Sequence, residues 1–96
     1  MTRSEVEQYL CDAIREVQTA SGRECPPLTG ATVPIGGIDG FDSLNSIEVG
    51  VEVEAAVGTD ISENPLVDTK TGRAFSIREA ASRILNQINE AAGATT

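Results

Sequence analysis

Histidine is absent from the sequence, which removes the side chain that proteins most often use as a general base or a metal ligand. The two cysteines, Cys11 and Cys25, do not form a CxxC pair, and no metal site is predicted. No apolar signal region follows Met1, and no apolar run is long enough to cross a membrane. We therefore expect a cytoplasmic protein without a membrane partner. Free thiols are favoured over a Cys11–Cys25 disulfide in that reducing compartment.

Basic residues are few and unevenly placed. Seven lysines and arginines stand against fifteen acidic residues, so the formal net charge is −8. Nine acidic residues and no basic one lie between Glu24 and Thr69, whereas four of the seven basic residues lie between Lys70 and Arg83. Nucleic acid is not expected as a partner, because phosphate binding requires a basic face. The charge favours basic protein surfaces as partners, although acidic residues also simply keep small proteins in solution.

Aromatic residues are also scarce. Tyr9, Phe41 and Phe75 are the three that occur, so the core must be built from aliphatic side chains. A hydrophobic content of 40% is ordinary for a folded soluble protein and argues against disorder. We expect one domain spanning residues 1–96.

Hydrophobic periodicity predicts an all-α fold, a bundle of three to four helices with a long loop between the first two. Two capping boxes, Ser4 with Glu7 and Ser76 with Glu79, mark the starts of the first and last helices, and Gly93 is expected to end the last one. The predicted elements are a helix over residues 4–18, a loop over 19–41, a helix over 42–57, a short helix or turn over 64–69, and a helix over 76–92.

The loop is too rich in glycine and proline for regular structure. Its apolar residues are expected to hold it against the helices rather than leave it as a free linker. These residues are Leu28, Val33, Ile35 and Ile38.

The helix over 42–57 begins after a suitable N-cap, Asp42, and stops at Gly58. It is apolar on two sides: one stripe is Val49, Val53 and Val57, and the other is Leu44, Ile47, Val51 and Ala55. Two interpretations are open. Both stripes could be buried in a tight core, or the valine stripe could face the core while the second stays partly exposed for a partner.

Ser43 lies where the long loop meets this helix. The first turn of a helix has free backbone N–H groups and the positive end of the macrodipole, so a phosphate ester would be favoured there. An ordinary helix-start serine explains the position equally well. No hydrolase elbow surrounds Ser43, the calcium-loop spacing is wrong, and Glu48 and Glu52 are expected on a solvated face. We therefore do not expect an enzyme.

The run Phe-Asp-Ser-Leu-Asn-Ser-Ile-Glu over residues 41–48 resembles the Asp-Ser-Leu signature of acyl carrier proteins. The resemblance extends from Ile38 to Ile61 and includes the Gly-Thr-Asp-Ile segment over 58–61. Residues 76–80, Ser-Ile-Arg-Glu-Ala, are similar to the start of the last helix in that family. Chain length, acidity and helix order agree with it.

The resemblance implies that a phosphopantetheinyl transferase attaches a 4′-phosphopantetheine arm from coenzyme A to Ser43, with Asp42 supporting the modification. The arm would carry acyl groups as thioesters, and the monomeric carrier would catalyse nothing. Candidates for lining an acyl pocket are Val49, Val53 and Val57. Candidates for docking acyl-loading and synthase enzymes with basic surfaces are Leu44, Ile47, Glu48, Val51 and Glu54.

Several positions depart from the pattern of fatty-acid carriers. Asn45 stands where an acid is usual, Gly50 lies in the middle of a helix, and the segment over 62–75 is a few residues longer. These departures favour a specialised carrier for a secondary metabolite such as a polyketide, or for a modified lipid. A peptidyl or aminoacyl carrier is the alternative cargo class, and an unmodified helical interaction module is the alternative function.

Overall fold

The computed structural model describes residues 1–61 and 64–94, and its regular structure is helical. The helices are α1 (Arg3–Ala20), α2 (Pro34–Gly37), α3 (Ser43–Val57) and α4 (Ile77–Ala94). The short α2 is a tight turn rather than a regular helix, because Ile35 and Gly36 have non-helical backbone angles. The prediction of an all-α bundle with a long first loop is therefore confirmed for the described residues.

The start of α1 differs from the prediction. Its N-cap is Thr2, whose hydroxyl accepts a hydrogen bond from the Glu5 backbone N–H, while the Glu5 carboxylate accepts one from the Thr2 N–H. The capping pattern occurs twice in this segment, and the earlier copy begins the helix. Glu7, predicted to close the later box, instead lies 3.7 Å from the guanidinium of Arg3.

Both ends of α3 agree with the prediction, but only one end of α4 does. Gly58 adopts a left-handed conformation (φ 71°), and its N–H donates to the carbonyl of Glu54, which ends α3. At the start of α4, Ser76 and Glu79 exchange two hydrogen bonds of 3.1 Å, so this predicted capping box is present. Gly93 does not end the helix, which continues to Ala94.

The core is mostly aliphatic, as the scarcity of aromatic residues predicts, although Phe41 and Phe75 are also buried in it. Each of the three long helices contributes a stripe to one continuous cluster, and each fully buried valine, leucine or isoleucine side chain stabilises the fold by about 1.5–3 kcal/mol. The buried helical residues are Val6, Leu10, Ala13, Ile14 and Val17 from α1, Val49 and Val53 from α3, and Ile77, Ala80, Ala81 and Ile84 from α4. Cys11 and Cys25 pack beside this cluster without forming a disulfide, and burial raises the pKa of the Cys11 thiol.

The long loop is attached to the bundle at several points. Ile38 is buried, and Leu28 and Ile35 pack against the core, as expected. Val33 is exposed instead, and the following Pro34 takes the buried position. The tight turn of α2 lies within the predicted loop, where glycine and proline favour irregular structure.

The segment after α3 forms turns rather than a helix. Val67 and Ala74 form an isolated antiparallel bridge, closed by a turn in which the Asp68 N–H donates to the carbonyl of Arg73. Of the longer segment over 62–75, residues 62 and 63 lie outside the described part of the chain. Within residues 1–61 and 64–94, no helix combines the length and hydropathy needed to cross a bilayer.

Candidate functional site

Ser43 is the first residue of α3, and its side chain is exposed. The residue before it, Asp42, caps the helix: one carboxylate oxygen accepts hydrogen bonds from the backbone N–H groups of Leu44 (3.0 Å) and Asn45 (3.1 Å). The Asn45 side chain returns the interaction, because its Oδ1 accepts from the Asp42 N–H at 3.0 Å. The amide at position 45 therefore performs the second half of a capping box, a role that glutamate usually fills.

A second set of contacts holds the first turn of α3 from the segment that follows the helix. Ser46 is fully buried, and its hydroxyl oxygen accepts a hydrogen bond from the Leu66 backbone N–H at 3.1 Å. The Asn64 side-chain amide donates to the carbonyl oxygen of Ser43 at 3.3 Å. Sequence reasoning missed both contacts. A polar residue on a predicted helix near the core was the available signal for Ser46, since buried hydroxyl groups require a partner.

The chain before Ser43 is held by Gln18 near the end of α1. This side chain is fully buried, and its Nε2 donates to the carbonyl oxygens of Glu24 (3.2 Å) and Asp39 (3.3 Å). Gly40 follows with φ 74°, and the guanidinium of Arg23 donates to its carbonyl at 2.8 Å. The positive φ favours glycine here, and a Cβ atom would also lie 2.5 Å from the guanidinium, so the exposed Arg23 side chain would have to move.

The two apolar stripes of α3 have different surroundings. Val49 and Val53 are 0% and 1% exposed, and Val57 is half-buried against the same core. On the other side, Leu44, Ile47 and Val51 are 68%, 42% and 63% exposed. The structure therefore agrees with the second interpretation of the sequence, in which the valine stripe faces the core and the other stripe stays partly exposed. We call Leu44, Ile47 and Val51 the exposed strip.

The acidic residues of α3 differ in their exposure and in their hydrogen bonds. Glu48 is exposed, but the carboxylate of Glu54 accepts a hydrogen bond from the Ile61 backbone N–H at 3.1 Å and so helps to close the end of the helix. Glu52 lies in a groove of about 430 Å³ between α1 and α3, together with Glu16. Desolvation raises the pKa of the Glu52 carboxyl, and the charges of Glu16 and Glu48 raise it further.

The described residues contain no cluster of three or more histidine, cysteine or acidic side chains that could hold a metal ion. Comparison with known proteins identifies no relative: no protein-family model, no curated protein and no solved structure matches the chain. The site is therefore defined by its own geometry. An exposed hydroxyl lies at a helix start that is held by the Asp42–Asn45 cap and by hydrogen bonds from Asn64 and Leu66, beside the exposed strip.

Proposed function

We propose that this protein is a stand-alone acyl carrier protein, which holds acyl groups as thioesters on a 4′-phosphopantetheine arm attached to Ser43. The observation that carries the proposal is the exposed Ser43 side chain at the first position of α3, directly after a capping aspartate and next to an exposed apolar residue, Leu44. The all-α bundle would then be of the acyl-carrier type, and the protein would catalyse nothing itself.

The surroundings of Ser43 suit a phosphodiester. The side chain is exposed, so a transferase can reach its hydroxyl. Its position in the first turn of α3 places a negative charge at the positive end of the helix macrodipole, which is worth about 0.3–1 kcal/mol. The capping hydrogen bonds from Asp42 and Asn45 keep the turn ordered before the modification, so little conformational entropy is lost when a transferase binds.

The reaction requires a phosphopantetheinyl transferase and coenzyme A. The Ser43 oxygen attacks the phosphorus that bears the pantetheine, the bond between the two phosphates breaks, and adenosine 3′,5′-bisphosphate leaves. The proton of the Ser43 hydroxyl passes to a base of the transferase. When bound, the group supplies a terminal thiol that forms thioesters with acyl groups.

The exposed strip supports a docking role beside Ser43. Three large apolar side chains on one helix face are uncommon at a protein surface unless a partner covers them. Glu48 adds a negative charge at this face, which suits loading and synthase enzymes with basic docking surfaces. We expect the cargo to be an acyl group of fatty-acid, polyketide or modified-lipid type.

A shelter for the acyl chain behind α3 would require the core to open. Val49 and Val53 are closed against other core side chains, so a bound chain would have to separate the helices at that point. Gly50 is buried and lies between these two valines in the sequence. Glycine lowers helix propensity by about 1 kcal/mol relative to alanine, which favours such opening in α3.

Incubation with coenzyme A and a broad-specificity phosphopantetheinyl transferase, followed by intact-mass spectrometry, tests the proposal. The wild type should gain the mass of one phosphopantetheine group, and Ser43→Ala should gain none. Ser4→Ala, which removes an exposed serine at the start of another helix, is the matched control and should be modified normally. No gain on the wild type, or an equal gain on Ser43→Ala, would leave the interaction-module alternative in place of the carrier.

A further inference from the structure

The side of the molecule formed by the start of α1, the segment before α4 and the first two turns of α4 carries a positive groove. The groove has a volume of about 440 Å³ and is lined by Arg3, Arg73, Phe75, Arg78, Glu79, Ser82 and Arg83. Four arginines and one carboxylate give this lining a net charge of +3 on a chain whose net charge is −8. We call it the arginine groove.

Two arginine side chains of the groove, Arg73 and Arg83, are held against the ring of Phe75. The guanidinium carbons of Arg73 and Arg83 lie 5.3 and 4.6 Å from the centre of the Phe75 ring, a cation–π arrangement. Arg73 also pairs with the carboxylate of Glu79. Because the side chains of Arg73 and Arg83 are already restricted, they would lose less conformational entropy on binding a ligand than ordinary surface arginines.

The geometry argues against a nucleotide or a single phosphate as the ligand. Phe75 is only 3% exposed and lies beneath two guanidinium groups, so its ring is not available to stack on a base. Arg78 and Arg83 are five residues apart on one helix, which directs them about 140° apart around its axis. This separation favours contacts with separate carboxylates along an extended surface over a shared contact with one phosphate.

Part of the positive charge is already balanced within the chain. Arg3 pairs with Glu7, and Arg73 pairs with Glu79. The pKa of the Asp68 carboxyl is lowered, mainly by its hydrogen bond from the Lys70 N–H and to a smaller extent by the charge of Arg83. No ion pair to Arg78 is seen among the described residues. Arg83 likewise has no ion pair among these residues, so Arg78 and Arg83 carry the charge that a partner would meet.

We propose that the arginine groove is a second docking surface, separate from the exposed strip of α3, and that it binds an acidic protein segment that presents several spaced carboxylates. Charge complementarity carries the choice of partner, because the lining of the groove is positive. The rest of this chain is acidic and would repel an acidic segment. That repulsion is screened beyond about 8 Å at physiological ionic strength, so contacts within the groove decide binding. The proposal does not depend on modification of Ser43.

The test uses the full chain, ¹⁵N-labelled, and a synthetic helical peptide in which glutamates alternate with leucine and alanine. Addition of the peptide should shift the backbone amide signals of residues 73–83, with Ser43→Ala giving the same result as the wild type. The double variant Arg78→Gln, Arg83→Gln should bind the peptide about tenfold more weakly, the expected effect of losing two exposed ion pairs.

The matched control is Arg15→Gln, Lys70→Gln, which removes the same charge outside the groove and should change affinity less than about twofold, as expected for surface charges that make no contact with the peptide. Arg83→Lys keeps the charge but not the planar guanidinium, so thermal unfolding of this variant separates lost stacking on Phe75 from lost binding. If the double variant does not fold, Arg78→Gln alone serves, because Arg78 does not stack on the ring.

Three outcomes would overturn the proposal. The first is the absence of shifts at residues 73–83 with the acidic peptide. The second is an equal loss of affinity in the control double variant, which would indicate a general charge effect. The third is stronger binding of inorganic phosphate, or of vesicles containing phosphatidylglycerol, to the same amides, which would assign the groove to a different class of ligand.

Discussion

Ile47 is partly exposed and Val53 is buried, and this difference leads to a prediction about two substitutions in α3. Both residues lie in the same helix, and replacing either with aspartate adds one negative charge. Val53 is 1% exposed and belongs to the core cluster, whereas Ile47 is 42% exposed beside Leu44 and Val51. We therefore expect Val53→Asp to destabilise the fold strongly and Ile47→Asp to have a small effect.

The magnitudes follow from burial. At Val53 the change forfeits about 1.5–3 kcal/mol of hydrophobic stabilisation, and an unpaired carboxylate in the core adds several kcal/mol more. A total above about 4 kcal/mol is a large part of the 5–15 kcal/mol that stabilises a typical domain. At Ile47 about half of the side chain is already in water, so the loss should be about 1 kcal/mol.

Urea unfolding followed by far-ultraviolet circular dichroism measures the difference. Ile47→Asp should keep the helical signal of the wild type and lose little midpoint concentration, while Val53→Asp should lose a large part of its midpoint concentration. If Val53→Asp cannot be purified, Val53→Ala and Ile47→Ala form a gentler pair, with a loss of about 2 kcal/mol expected only for Val53. Equal destabilisation within either pair would refute the assignment of buried and exposed stripes.

Three further predictions concern the frame around Ser43. Gln18→Ala should lower the free energy of unfolding by about 2–3 kcal/mol, because it removes two hydrogen bonds of a buried side chain and leaves a cavity. Amide hydrogen exchange should become faster over residues 24–40, while α4 stays protected. Gly40→Ala should lower the thermal midpoint, since a left-handed conformation costs a non-glycine residue about 1–2 kcal/mol. Glu52→Gln should stabilise the protein by about 0.5 kcal/mol at neutral pH, because it removes a partly desolvated carboxylate that is repelled by Glu16 and by Glu48; urea titrations measure the change.

The pH dependence of the last effect follows from the raised pKa of Glu52. A carboxyl whose pKa is higher in the folded state binds more protons there than in the unfolded chain, so wild-type stability at this site rises as pH falls through the folded pKa. The advantage of glutamine should therefore disappear in acid. A constant advantage at all pH values would contradict this explanation. Unchanged hydrogen exchange in Gln18→Ala would contradict the role given to the Gln18 hydrogen bonds. An unchanged thermal midpoint in Gly40→Ala would contradict the need for glycine at position 40.

The parts of the fold that depend on neighbouring residues could be predicted from the sequence. Asp42 caps α3 and Gly58 ends it because N-cap hydrogen bonds and left-handed C-caps need only residues within one turn. Apolar spacing was sufficient for the stripes of α1 and α4 for the same reason. Where local signals were duplicated, as with Thr2 and Ser4, the sequence did not show which would begin the helix.

The sequence by itself therefore determined an all-α chain with a serine at the start of its central helix and two apolar stripes on that helix. Tertiary structure decided which stripe is buried, because that depends on where the other helices lie. It also decided the contacts of Gln18 with Asp39 and of Ser46 with Leu66, each of which joins residues about twenty positions apart, beyond the reach of helical periodicity. The arginine groove is the same case: the sequence showed basic residues between Lys70 and Arg83, but only packing brings Arg3 beside them.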